Sequence, residues 1–114
     1  ARLTGSGPMS DLKSRVAEEL GLEPGQAEEL LRTLLRVSRE DLEGLRLAAA
    51  RADAQSVAHL AHHIKGAAAN LEVEDLRAAA ERLEALGKQG ELASVAVELE
   101  ALQRALWSLE VALA

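Results

Sequence analysis

A histidine followed three residues later by a lysine and then a glycine, in the run Ala61-His62-His63-Ile64-Lys65-Gly66-Ala67-Ala68-Ala69-Asn70-Leu71, is the one place in this chain where residue types and spacing suggest a reaction. Imidazole is neutral and nucleophilic near neutral pH, can attack phosphorus, and forms a phosphoramidate reactive enough to pass its phosphoryl group onward. Phosphoryl transfer asks mainly for positioning and for positive charge on the equatorial oxygens. A lysine at i+3 from His62 reaches over the same helical turn and supplies that charge as a mobile ammonium.

The helix that must carry these residues sorts them into two faces. At about 100° per residue, Val57, Leu60, Ala61, Ile64, Ala68 and Leu71 form one apolar stripe suited to a core. His62 falls about 150° from the centre of that stripe, with Gln55, His59, Gly66, Ala69 and Asn70 near it and Lys65 at the flank. His62 is therefore expected in water. Glycine in mid-helix costs about 1 kcal/mol relative to alanine, and a solvated face offers no packing reason to accept it. Gly66 and Ala69 read as clearance for a partner that approaches the ring closely. His63 projects to the boundary of the stripe and is expected to fill space or make a hydrogen bond. His59, one turn before His62, is a candidate for docking, and Asn70 lies on the same face, either at the site or simply as a helix-end residue.

Composition narrows the remaining possibilities. A chain of 114 residues supports one core, and its near-absence of aromatics and its two prolines favour packed helices over a sheet. The fold class expected is all-α. With no cysteine, disulfides, thiolate metal sites and cysteine nucleophiles are excluded. The net charge of −6 argues against a nucleic-acid partner, which calls for a basic face. No apolar run is long enough to span a membrane, so no membrane partner and a cytoplasmic location are expected. There is no glycine-rich phosphate loop and no ATP site, so the chain is not expected to be an enzyme with its own turnover.

The elements follow from caps and stripes. Residues 1–9 read as a flexible Gly/Ser-rich leader of the kind left by expression cloning, and residues 10–114 as the domain. Ser10 or Asp11 caps a short first helix ending at Gly21, and Pro24 opens a second that runs to about Arg51 on Ala27, Leu30, Leu31, Leu34, Leu35, Leu42 and Leu45. Asp53 caps the helix of His62, which reaches about Leu71. After a break near Glu72-Val73-Glu74, a fourth helix bears Leu76, Ala79, Ala80, Leu83 and Leu86 and is stopped by Gly87. Gly90 starts the last, with Leu92, Val95, Ala96, Leu99, Leu102, Leu106, Leu109 and Leu113 inward; Trp107, about one turn off the leucine line, is expected to pack on the core while partly exposed. Short connections predict an antiparallel up-down four-helix bundle with the extra first helix at one end.

The run Ala61-His62-x-Ile64-Lys65-Gly66-Ala67-Ala68-x-Asn70-Leu71, with Asp53 before it and Leu76 and a leucine-rich tail after it, resembles the histidine-containing phosphotransfer (HPt) domains of bacterial multistep phosphorelays. The resemblance covers nearly the whole chain from about residue 10. It implies a four-helix bundle in which His62 takes a phosphoryl group from the aspartate of one receiver domain and gives it to another. Lys65 then assists the phosphoryl group, Gly66 gives clearance, and Asn70 shapes the face or hydrogen-bonds nearby. The partners implied are receiver domains of response regulators or hybrid kinases, met by a monomer; no cofactor belongs to this chain, and Mg2+ is expected in the receiver. One departure is Glu72, where many members carry glycine, and it bears on the exit of the third helix.

Three other readings compete. His59 and His62 form an i, i+3 pair that could hold zinc, but the sequence offers no convincing third ligand. The bundle could serve association alone, with transfer activity lost. It could also be the phospho-acceptor domain of a chemotaxis-type histidine kinase.

Overall fold

The computed structural model describes residues 8–114, with side chains from residue 12 onward. The described chain is all helical: α1 (Pro8–Leu20), α2 (Pro24–Ala50), α3 (Ala54–Asn70), α4 (Glu74–Gln89), a 3-10 turn (Leu92–Ser94) and α5 (Val95–Leu113). Helix α1 begins at Pro8, so Ser10 and Asp11 lie within its first turns and do not cap it; residues 1–7 of the expected leader lie outside the described residues. None of the described helices is long and apolar enough to cross a membrane.

Local chemistry sets the helix ends. At the start of α2 the Glu23 backbone N–H donates to Gln26 Oε1 at 2.9 Å, and Pro24 follows where no N–H is needed. Asp53 caps α3 as expected, accepting from the Ser56 backbone N–H at 3.1 Å and from its hydroxyl at 2.7 Å. These hydrogen bonds hold the Asp53 carboxyl below its usual range. The first four helices close with the same paired bonds, as where Val73 N–H reaches Ala68 O at 3.0 Å and Glu72 N–H reaches Ala69 O at 3.1 Å. Each closure needs one left-handed residue, supplied by Gly21, Ala52, Glu72 and Gly90 at φ of 67°, 56°, 58° and 70°. The departure at Glu72 thus leaves the exit of α3 intact, with a glutamate in the conformation glycine adopts more easily.

Helices α3 and α5 each pack against both α2 and α4, which places them at opposite corners. Along the α2–α5 seam, Arg32, Arg39 and Arg46, seven residues apart, reach Leu113 O, Glu110 and Gln103 in turn. The core is aliphatic, with Leu31, Leu45, Ile64, Leu76, Leu83 and Leu102 at its centre.

The expectations for five residues need correction. Gly87 does not stop α4, which runs on to Gln89 and ends at Gly90. Gly87 is buried, and a Cβ there would stand 2.6 Å from Ala58 N and 2.9 Å from Ala54 O, so it is what lets α4 approach the α3 backbone. Gly90 closes α4 and does not start the last helix, which begins at Val95 after the 3-10 turn. Leu30 and Ala96 lie outside the core, because the stripes of α2 and α5 are narrower than the leucine pattern suggests; Leu30 is 41% exposed. Trp107, expected to pack on the core, stands 64% exposed outside it.

Candidate functional site

The middle of α3 carries His62 on its outer face, 67% exposed, because Val57, Ala61, Ile64 and Ala68 take the inner stripe. Its Nδ1 lies 2.9 Å from Glu84 Oε2 on α4. Glu84 is buried, with 6% of its side chain exposed, and its other oxygen, Oε1, meets Lys65 Nζ at 2.6 Å. Lys88, one turn further along α4, reaches Oε2 at 3.1 Å. One carboxylate therefore ties together the imidazole and two ammonium groups.

Electrostatics follow from that arrangement. The Lys65 ammonium, helped by Lys88 and the His62 ring N–H, holds the Glu84 carboxyl down to about 2, against the opposing effect of burial. Glu84 is thus an anion at neutral pH and can only accept hydrogen bonds. A neutral His62 must then carry its proton on Nδ1, leaving the Nε2 lone pair free toward solvent. Two lysines against one glutamate leave this cluster a formal net charge of +1 beside the imidazole, in a chain of net charge −6.

Glu84 and Lys88 were not among the residues singled out from the sequence. A signal was present: Glu84 lies one and two turns beyond Ala80 and Leu76, on the edge of the apolar stripe of α4, where a lone carboxylate calls for a partner. What the spacing within α4 cannot show is which side chain of α3 faces it.

The other expected site residues divide between two flanks. Gly66 is exposed, and an added Cβ there meets nothing within 4 Å. Ala69, Asn70 and His59 are exposed on α3. Toward α2, His63 Nδ1 lies 2.7 Å from Asp41 Oδ2, which satisfies the boundary role expected for it. Beyond it lies an apolar groove of about 500 Å3, lined by Leu20, Leu30, Val37, Ala67, Asn70 and Leu71 among others. Asn70 thus belongs to the groove, whereas the Glu84 cluster draws His62 and Lys65 toward α4. No group of three or more potential metal ligands occurs among the described residues, and His59 and His62 gain no third ligand there.

Comparison with known proteins bears on this arrangement. The Hpt domain family model matches residues 29–112. Among solved structures, the histidine-containing phosphotransfer protein B (HptB) of Pseudomonas aeruginosa PAO1 is similar, with a TM-score of 0.79 and 25% sequence identity over 95% of this chain and 93% of that one. Among curated proteins there is no significant match. A helical fold shared with a histidine phosphotransfer protein, and a family match that spans α3 and its exposed histidine, place this chain in the Hpt domain family of phosphorelay proteins.

Proposed function

We propose that His62 is the phospho-acceptor of this domain and that it relays phosphoryl groups between the aspartates of two receiver domains. The observation that carries the reading is the contact of His62 Nδ1 with the buried anion Glu84, which leaves Nε2 as the outward nucleophile. In the forward step the Nε2 lone pair attacks the phosphorus of the receiver's acyl phosphate. The N–P bond forms as the P–O bond to aspartate breaks, and its electron pair leaves on the carboxylate. The imidazolium so formed keeps its proton on Nδ1, where Glu84 balances its charge. Transfer onward reverses the same steps with a second aspartate.

Lys65 sits half-covered between Glu84 and solvent, a position from which its ammonium can share its charge with an incoming phosphoryl oxygen. The open space over Gly66 and the small Ala69 side chain leave room for the loops of a receiver to close over the ring. Docking on the outer faces of α2 and α3 is supported by the groove beside His63, with Asn70 on its wall and His59 one turn from the acceptor. Magnesium belongs to the receiver's carboxylates in this scheme, and the chain acts as a cytoplasmic relay intermediate with no ATP site of its own. The ordered pairs along the α2–α5 seam support the antiparallel up-down arrangement for α2 to α5.

The test is incubation with a phosphorylated receiver. Label on the protein should be acid-labile and alkali-stable, and His62→Gln should abolish it while His63→Gln retains it. Label persisting on the His62→Gln protein would refute the assignment.

A further inference from the structure

Helix α5 presents an outer face that nothing in the described chain covers. Val97 is 66% exposed and Trp107 64%, and Glu100 and Arg104 lie between them on the same side of the helix. Four charged residues occur on α5. Two are used within the chain, Glu98 by Arg82 and Glu110 by Arg39, whereas Glu100 and Arg104 make no ion pair among the described residues.

These four outer residues are complementary to themselves under a two-fold axis. Two copies of α5 laid antiparallel, with the axis level with Leu102, set Glu100 opposite the partner's Arg104 about 3 Å along the helix from the axis. Val97 then lies opposite the partner's Trp107, about 7.5 Å from the axis. Each pairing occurs twice. Both the charges and the apolar side chains therefore find their opposites in a second copy of the same chain.

We propose that α5 is a homodimer interface, formed by a second copy packed antiparallel through Val97, Glu100, Arg104 and Trp107. Because α5 and α3 occupy opposite corners, the dimer leaves both His62 faces open to receivers. A contact built on one helix face belongs to the small end of specific interfaces, below about 1,200 Å2 in total, so the dimer is weak and the expected monomer is its dilute form.

Sedimentation equilibrium of the full chain across protein concentration reads the assembly, and Trp107, the one tryptophan, reports burial of the face by a blue shift in its emission. Association with a concentration-dependent blue shift is the expected result. Arg104→Glu, which sets glutamates opposite one another, should weaken association by about tenfold or more, as should Trp107→Ala. The double exchange Glu100→Arg with Arg104→Glu restores the complementarity and should restore the dimer. A monomer with unshifted emission up to about 1 mM overturns the proposal. So does a dimer indifferent to Trp107→Ala, or a double variant as weak as Arg104→Glu alone.

Discussion

His62 and Glu84, 22 residues apart in sequence, meet across the α3–α4 seam with Nδ1 to Oε2 at 2.9 Å. The contact sets which ring nitrogen is protonated, and so which one is left free toward solvent, the nitrogen that the proposed transfer would use. Glu84→Gln keeps the shape of the side chain but removes the anion, so the tautomer is no longer fixed and the two lysines lose their counter-charge. Phosphoryl acceptance is expected to fall about 10- to 100-fold with the bundle still folded. Nitrogen NMR of the imidazole provides the specific readout: the Nδ1–H tautomer dominates in the native protein and is mixed with the other in the variant. An unchanged tautomer would remove Glu84 from this positioning role.

Acid stability depends on the same carboxylate. The folded protein holds Glu84 at about 2, below the ordinary 4.5, through Lys65 first and then Lys88 and His62. Its contribution to stability is therefore complete above about pH 4.5 and is lost as pH falls from there toward 2. Thermal unfolding followed by circular dichroism should show a drop in midpoint across that window that is shallower in Glu84→Gln. Parallel curves for the two proteins would show that the group does not couple to folding.

Gly87 is where α4 lies against the backbone of α3. Gly87→Ala puts a methyl 2.6 Å from Ala58 N, an atom that cannot move without shifting α3. The expected cost is about 1–3 kcal/mol, measured by denaturant unfolding, even though alanine is the better helix former.

Gly66 has the opposite environment and should give the opposite sign. With nothing within 4 Å of an added Cβ, Gly66→Ala should stabilise the fold by about 0.5–1 kcal/mol. Gly66→Leu should fold equally well yet block phosphotransfer, because the cleared surface then collides with the receiver. Normal transfer rates in the leucine variant would defeat the clearance argument.

Glu72 holds φ of 58° at the exit of α3, with its backbone carbonyl accepting from Arg15 Nη2 at 3.1 Å. Glu72→Gly relieves the left-handed strain while adding freedom to the unfolded chain, for a net gain of about 0.5–1 kcal/mol in calorimetry. Transfer through His62 should not change, since Glu72 lies beyond the C-terminal end of the helix that carries it.

Helical periodicity relates residues three and four apart, so facts that live within one helix were legible in the sequence alone. It determined that α3 buries Val57, Ala61, Ile64 and Ala68, that His62 therefore faces solvent, that Lys65 shares its turn, and that Asp53 caps the helix. The same logic misplaced Gly87, because a glycine near a helix end reads locally as a stop and only the neighbouring backbone shows it to be a contact. Register between helices is set by how side chains of different segments pack, and no spacing along the chain encodes it. Tertiary structure alone decided that Glu84 faces His62 and Lys65, that His63 is taken by Asp41, and that Leu30 stands at the edge of a groove outside the core. The histidine was visible in the sequence; the carboxylate that orients it came from folding, because burying that charge between α3 and α4 is tolerable only where two lysines and an imidazole meet it.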